Sequence, residues 1–538
     1  LKNHQWKDIQ RIAQQRIDFY EIRASETKEL IISNFPVGAL NTDDWSEIKR
    51  NYIRLLLDIK QPELAETFFN TVVCRLLDRK YYNNQFIFFR PMLSTEFLVA
   101  EKPAYFSYEI TQKNLLSTTR ELLKQISFDG AIGSIKKEII KLLKFLREIS
   151  NSKSPNKAIK IDVLSSLFIR NKGAYIIARL VDNERYFPLV FALTPDKNKK
   201  FKIDAILHKQ EQLVTLFSFS RSYFFVNTEI PAAFVSFIKS LLPNKPTAEI
   251  YSSIGLHKHG KTLFYRTLFD HLFHSNDEFI EARGITGLVM IVLTLPSFPY
   301  VFKIIRDRFG QVKDITREEV KDKYLLVKKH DRVGRLADTM EFKDVAIPRD
   351  RFSFAIIDML LNDASQSVTE DENNIIFKHV YIERRMLPLN IHVDNNPSKS
   401  SEKEVIDYGQ AVKDLAAANI FPGDLLLKNF GITNYGKVVF YDYDEITLLS
   451  ECKFSKVPQA RTLEEEMASE PWYPVGKNDV YPETWEPFLV RKPELKRILK
   501  KHHGQIFDPE YWKTIQSMIA EGEVHDVFPY DDKARLEK

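Results

Sequence analysis

The sequence predicts an α+β chain of two domains: a mostly helical one over residues 1–276 with a small β insertion, and a two-lobed one over 277–538. Three observations carry this. A chain of 538 residues exceeds what one hydrophobic core organises, so two domains are expected, with three possible. Apolar residues recur at helical spacing near the start, then give way to short β-rich runs after Gly173 and again after Asp277. Finally, the stretch 421–445, FPGDLLLKNFGITNYGKVVFYDYDE, holds an acid, an amide five positions later and another acid thirteen beyond.

Helices come first. Trp6, Ile9, Ala13, Ile17 and Tyr20 fall on one face, and so do Trp45, Ile48, Tyr52, Leu55, Leu56 and Ile59 behind the N-cap candidates Thr42 and Asp43. Pro62 opens a third helix with Leu64, Phe68, Val72, Leu76 and Leu77. A basic amphipathic helix is expected over 135–149, packed on a neighbour with its lysines outward. Strands at 174–181 and 186–193, joined by Asp182-Asn183-Glu184-Arg185, read as an inserted hairpin. The segment from Gly255 to Thr262, GLHKHGKT, matches the P-loop pattern G-x(4)-G-K-[ST]. A working P-loop needs a buried strand before it, and 247–254 is polar-interrupted. The expectation is therefore a structural turn or a secondary nucleotide contact, with His257 and His259 as turn or surface residues.

The second domain begins near Asp277. Ala282, Arg283, Gly284, Ile285, Thr286, Gly287 and Leu288 form a glycine-containing turn before a strand at 289–295. Such a turn lets backbone approach phosphate. Sixteen residues after Gly287, Lys303 sits in the apolar strand 300–304. Its alternative is an edge-strand lysine facing solvent. Thr316 and Glu319 form a capping box for a helix through His330 with Val320, Tyr324 and Val327 on one face. The glutamate that pairs with Lys303 is left open among Glu318, Glu319 and Glu341. A polar connector over 362–374 leads to a strand at 375–382, then to Glu383, Met386 and Pro388, which suits a hinge between lobes. Ser401 and Glu404 cap a helix through Ala418 that delivers the chain to Asp424.

Asp424, Asn429 and Asp442 have the order and spacing of the catalytic aspartate, metal-binding asparagine and DFG aspartate of protein kinases. Phosphoryl transfer needs a base for the attacking hydroxyl and hard oxygen ligands for Mg²⁺. The turn Asn434-Tyr435-Gly436 and the strand 437–441 would bring Asp442 back beside Asn429. With the glycine turn, strand lysine and hinge in the same order, the C-terminal half reads as kinase-like, with an N-lobe over about 277–383 and a C-lobe over about 387–538.

The stretches GITGLVMIVLTLPSFPYVFKIIRDRF, HDRVGRLADT, HVYIERRMLPLN, AAANIFPGDLLLKNFGIT and VVFYDYDEI resemble the bacterial isocitrate dehydrogenase kinase/phosphatase family. GLHKHGKTLFYR and SEPWY also look like family segments, and the likeness extends over the whole chain. The resemblance implies a helical N-terminal regulatory domain and a bifunctional enzyme. The enzyme phosphorylates a serine of isocitrate dehydrogenase with ATP and Mg²⁺ (Mn²⁺ being an alternative) and removes the phosphate in a reaction needing bound adenine nucleotide such as ADP. That switches flux between the citric acid cycle and the glyoxylate bypass, with AMP as allosteric effector, in a cytoplasmic homodimer. It places ATP contacts on 282–288, Lys303, Glu383 and Met386, the phosphatase acid on Asp338, the catalytic loop on Asp424 and Asn429, and the metal-proximal pair on Asp442 and Asp444. It makes 453–466 a partner-recognition loop. Two departures from ordinary kinases stand out: Pro422-Gly423 replaces His-Arg, and Asp442-Tyr443-Asp444 replaces DFG. The second adds a carboxylate, so Asp424 is expected to serve phosphorylation and Asp444 with Asp338 dephosphorylation. Glu445 is a further contributor to consider.

Rival classes fare less well. A small-molecule phosphotransferase would share the D-x(4)-N motif but not the large N-terminal domain or the Asp338 segment. A pseudokinase would not be expected to keep Lys303, Asp424, Asn429 and Asp442 together. The net charge of +5 is small for this length, and no basic stripe with interleaved aromatics appears, so nucleic acid is not an expected partner. The longest apolar run, 287–296, is too short to span a bilayer. Cys74 and Cys452 lie far apart without metal-ligand spacing, which fits a reducing cytoplasm. The first residue is not Met, which points to a few residues missing from the start. Trp472, Trp485 and Trp512 are expected to pack on the lower lobe together with the tail to Lys538, whose last residues, DDKARLEK, should fray.

Overall fold

The computed structural model describes residues 6–77, 86–95, 98–111, 113–126, 140, 142–145, 159–182, 185–195, 200–218, 223–284, 287–309, 315–462, 467, 472–476, 478–523, 527–530 and 532–536. The chain divides into two compact units, residues 1–275 with 528–538, and residues 276–527.

In the first unit α1 (Trp6–Asn34), α2 (Thr42–Leu56) and α3 (Pro62–Leu76) are followed by β1 (Tyr105–Ile110), α4 (Leu115–Ile126), β2 (Ile159–Leu164), β3 (Phe168–Arg170), β4 (Gly173–Asp182), β5 (Arg185–Pro195) and β6 (Phe201–Leu207). Trp45, Phe69, Val73 and Phe88 form the core of the helical part. Asn41 is the N-cap of α2: its side chain accepts from the Asp43 and Asp44 amides while Asp44 reaches back. The cap thus falls one residue earlier than Thr42, because an amide oxygen and a carboxylate complete the reciprocal pair.

The expected hairpin is the centre of a six-stranded antiparallel sheet, ordered β1-β2-β4-β5-β6 with β3 on β4. Both faces are covered. Ile177, Val190 and Ala205 belong to one core and Ile176, Phe191 and Ile206 to another, as the two-residue strand period requires. The flanking strands were hidden in the sequence because IKIDVL and FKIDAIL carry acids. Asp162 is buried against Arg179 at 2.9 Å, and Asp204 against Arg535 at 3.0 Å. Arg535 lies in the segment after 527, so those residues join this unit rather than the lower lobe of the other. Tyr530 also donates to Asp204, and the Leu536 amide to the Asp204 carbonyl. The remaining helices are α5 (Gln210–Phe217), α6 (Pro231–Leu241), α7 (Thr247–Ser253) and α8 (His257–His274). Most of the basic helix expected over 135–149 lies outside the described residues.

The P-loop lookalike spans the α7–α8 corner. A helix precedes it where a strand would be required, and Gly260 is inside α8, packed on α7 so closely that a Cβ would lie 2.3 Å from the Ser252 hydroxyl. Its glycine serves helix packing, and no phosphate cradle is built there. His259 is buried, contrary to expectation. Its Nδ1 lies 2.9 Å from the Thr67 hydroxyl, and burial followed by the nearby Arg266 charge lowers its pKa to about 4.

The second unit opens with β7 (Ile280–Glu281), β8 (Met290–Thr294) and β9 (Tyr300–Ile305), then α9 (Arg317–His330), β10 (Thr339–Phe342), β11 (Val345–Pro348) and α10 (Phe354–Asp363). Next come β12 (Val368–Glu370), β13 (Asn374–Phe377), β14 (Val380–Arg384) and β15 (Leu387–Pro388). The main sheet runs β10-β14-β9-β8-β7, with β9 central and buried at every position. Lys303 is therefore an interior residue, not an edge one. The strand expected over 375–382 is two strands in different sheets, broken at Lys378-His379, and the connector before it contains α10's end and β12.

The C-terminal part of this unit is built on α11 (Leu389–Asn395) and α12 (Glu402–Ala417), with the short strands β16 (Ile420–Phe421), β17 (Phe430–Ile432), β18 (Val438–Phe440) and β19 (Thr447–Leu448). β20 (Lys453–Phe454) pairs in parallel with β21 (Asp479–Val480). Helices α13 (Glu486–Leu489), α14 (Pro493–His503) and α15 (Pro509–Ala520) follow. Val405, Tyr408, Ala411, Val412 and Leu415 bury one face of α12. Ser401 stands at its N-cap, yet its hydroxyl is buried without a partner, so the expected capping box does not form. Phe421, Phe454, Trp485 and Trp512 make an aromatic cluster beneath the loop that follows β16. Among the described residues, no helix is long and apolar enough to cross a membrane.

Candidate active site

Four short backbone linkages assemble the site. The β17–β18 hairpin turns at Asn434-Tyr435-Gly436 and pairs Phe430 with Phe440. The Tyr441 amide then donates to the Asn429 carbonyl at 3.1 Å, setting Asp442 next to Asn429 as the spacing predicted. β16 pairs with β19, Phe421 opposite Thr447, which closes the loop bearing Asp424 against the loop bearing Asp442 and Asp444. Gly423 makes that closure possible. Its φ is +81°, and a Cβ there would lie 2.5 Å from the Glu445 carbonyl oxygen.

Asp338 is brought in by a linkage no motif announces. Residues 335–337 run parallel to β18: the Phe440 amide donates to the Arg335 carbonyl at 2.7 Å, and the Ala337 amide to the Phe440 carbonyl at 2.9 Å. The Tyr443 hydroxyl donates to the Ala337 carbonyl at 2.7 Å. Asp338 is thus stitched, through its neighbour, to the strand that ends in Asp442-Tyr443-Asp444. Arg335 anchors the segment. Its guanidinium takes both Asp407 oxygens at 2.8 Å, Asp414 at 2.8 Å and the Val438 carbonyl at 3.0 Å. Burial would lower the Arg335 pKa, but the two carboxylates raise it. Burial likewise opposes ionisation of Asp407, yet Arg335 and the Val438 amide hold it below the ordinary carboxylate value.

Lys303 reaches the same place from the sheet. Its ammonium donates to the Tyr441 carbonyl at 2.8 Å, one residue from Asp442, and lies 2.5 Å from the Glu383 carboxylate. Tyr441 and Tyr324 are both shifted upward, chiefly by burial, with the charges of Asp442 and Glu383 adding to it. At the hinge, Met386 packs on Gly431, where a Cβ would come within 2.9 Å of the Met386 Cβ and 3.1 Å of the Tyr441 ring. The glycine turn lies between β7 and β8. The Ala282 amide donates to the Val292 carbonyl, and Gly284 faces Pro388 just past the hinge. Arg283, Gly284, Gly287 and Leu288 are exposed, while Ile285 and Thr286 lie outside the described residues.

Two family models match the chain: the regulatory domain of isocitrate dehydrogenase kinase/phosphatase (AceK) over residues 1–276 and the kinase domain of the same family over 277–532. The chain belongs to the isocitrate dehydrogenase kinase/phosphatase family. Relatives carrying that name include proteins of Paraburkholderia phytofirmans and Burkholderia thailandensis, each 44% identical over 535 residues. That alignment covers 99% of this chain and 87% and 89% of the respective relatives.

Membership of the kinase/phosphatase family gives these linkages a chemical setting. Around Asp424, the carboxylate accepts from the Leu426 amide at 2.9 Å and lies 3.5 Å from the Lys428 ammonium. Asn429 is buried and its side-chain amide donates to the Asp424 carbonyl at 3.2 Å, which directs its other end away from that carbonyl. Among the described residues, no three His, Cys, Asp or Glu side chains are grouped to hold a metal by themselves. Asn429 and Asp442 would offer hard oxygens from two residues. That donor set fits Mg²⁺, which takes much of its coordination from phosphates and water. Sequence reasoning missed Lys428 and Arg335. The signal for Arg335 was available: Asp407 and Asp414 are seven apart on α12 and so share a face. The side chain of Glu383, a residue expected at the hinge, pairs with Lys303.

Proposed function

We propose that this chain is an ATP-dependent protein serine kinase that is also a phosphoprotein phosphatase, acting on isocitrate dehydrogenase and so governing flux between the citric acid cycle and the glyoxylate bypass. One observation carries the dual reading. The segment ending in Asp338 is hydrogen-bonded to the strand that leads into Asp442, Tyr443 and Asp444, which supports a site with carboxylates beyond those a kinase uses. The names of the relatives supply the protein substrate.

In the forward direction Asp424 accepts the proton of the substrate serine as its oxygen bonds to the γ-phosphorus and the bond to the β-phosphate oxygen breaks. Lys303 sits where phosphate oxygens would replace the Tyr441 carbonyl, and Lys428 places a second cation beside Asp424. The 282–288 turn and Met386 bracket the nucleotide. Mg²⁺ held by Asn429 and Asp442 would offset phosphate charge. In the reverse direction Asp444 with Asp338 takes a proton from a water as its oxygen bonds to the phosphoserine phosphorus; the bond from phosphorus to the serine oxygen breaks, and that oxygen takes up the proton, giving serine and inorganic phosphate. ADP or ATP occupies the nucleotide cleft during that step. AMP as effector, Mn²⁺ in place of Mg²⁺, a homodimer and a cytoplasmic location belong to the same proposal.

The test is transfer of label from ATP to purified isocitrate dehydrogenase with Mg²⁺, then a chase with ADP or AMP. Label that later appears as inorganic phosphate supports both activities. Label without release leaves only a kinase. Asp424→Ala should lose phosphorylation more than release, and Asp444→Ala the opposite. Equal losses in both would refute the division of roles.

A further inference from the structure

Lys303 is a cation in the sheet interior, with its side chain 8% exposed. A buried ammonium needs matched partners. Protein kinases supply the glutamate for this lysine from the helix that follows its strand. Here that helix is α9, and the face it buries carries Val320, Tyr324 and Val327. Tyr324 stacks on Tyr381 at 3.9 Å and meets Tyr443 edge-on, so the buried face of this helix presents aromatic and aliphatic groups to the sheet. The acids nearby are engaged elsewhere. Glu318 pairs with Lys321, Glu319 caps Thr316, and Glu341 contacts His379.

The partner comes from β14, the neighbouring strand. Glu383, with its side chain 2% exposed, reaches diagonally to Lys303, and its other oxygen lies 3.5 Å from the Thr339 hydroxyl on β10. Registers of Tyr381 opposite Lys303 and Thr339 opposite Glu383 fix all three strands. We propose that Glu383 is the positioning residue that holds Lys303 for the nucleotide phosphates, and that this placement does not depend on α9. The proposal rests on the kinase reading above. Its consequence is regulatory: a lysine–glutamate pair built inside one sheet cannot be broken by swinging a helix. On–off control must therefore act on other parts of the site, such as the carboxylate loops.

The experiment compares Glu383→Gln and Glu383→Asp with Glu318→Gln, Glu319→Gln and Glu341→Gln in the full chain. Affinity for a fluorescent ATP analogue is read directly, alongside kcat and KM for ATP. Glu383→Gln should weaken nucleotide binding tenfold or more and lower kinase kcat about 100-fold, the scale of a misplaced phosphate contact. Glu383→Asp should recover part of it. The other three should stay within about twofold of the parent. A double-mutant cycle guards against loss of fold: in a Lys303→Met background, Glu383→Gln should change nothing further. An equal loss from either helix glutamate, or a Glu383→Gln effect that persists without Lys303, overturns the proposal. A parent protein that binds nucleotide but transfers no phosphate would refute the functional reading instead and leave the binding comparison to decide the role of Glu383. A parent that binds no nucleotide refutes both.

Discussion

Gly423→Ala should separate the chemistry of the site from its nucleotide binding. The new Cβ would sit 2.5 Å from the Glu445 carbonyl oxygen and 2.7 Å from its Cβ. Carbon atoms rest at about 3.5–4.0 Å, so the two loops must part by about 1 Å. A left-handed alanine adds about 1–2 kcal/mol of strain, and overpacking about 1–3 kcal/mol. The β16–β19 pairing holds both loops close by, so the displacement falls on Asp424. A shift of about 1 Å in a reacting group costs about 100-fold in rate. Lys303 and Glu383 lie in the sheet, so KM for ATP should move little. Initial rates of phosphate transfer to isocitrate dehydrogenase across ATP concentrations, with thermal unfolding in parallel, measure both. A folded variant with kcat within threefold of the parent would refute the argument.

Three other outcomes are expected. Arg335→Lys, which cannot span Asp407 and Asp414, should cost about 3–5 kcal/mol and lower both activities together; a variant with unchanged melting temperature would contradict this. His259 is held neutral, with its pKa lowered to about 4 from an ordinary 6.5. The unfolded chain therefore takes up a proton between those values that the folded chain refuses. Stability falls as pH drops through that window, by about 2 kcal/mol from pH 7 to 5, and urea midpoints should show a shallower pH slope in His259→Gln. Arg535→Ala strips a partner from buried Asp204 and should lower the unfolding temperature while leaving ATP affinity intact; lost ATP affinity in a folded variant would count against it.

The geometry of the candidate site was legible where it depends on local spacing. Asp424, Asn429 and Asp442 lie on one loop and one hairpin, so a turn signal was enough to juxtapose them. Lys303 followed from a β-rich strand after a glycine turn. What spacing could not show was pairing over distance. Glu383 lies 80 residues beyond Lys303, and only the strand register reveals that its carboxylate faces the lysine. The Asp338 segment joins β18 as a stretch too short to have a strand pattern. In the first unit, buried Asp162 and Asp204 disguised two interior strands, since each needs an arginine found elsewhere in the chain to become tolerable there. The GLHKHGKT match could be discounted from its context: the local pattern is complete, but the segment before it is helix where a P-loop needs a buried strand.

The return of residues 528–536 to the first unit has a bearing on synthesis. Asp204 leaves the ribosome 331 residues before Arg535. At about 5–20 residues per second, roughly 15–70 s pass with that carboxylate lacking its cation. The N-terminal sheet must therefore wait, incomplete at β6, while the catalytic unit is made and folds. Translation order and folding order diverge, and the unit that emerges first is the last to be completed.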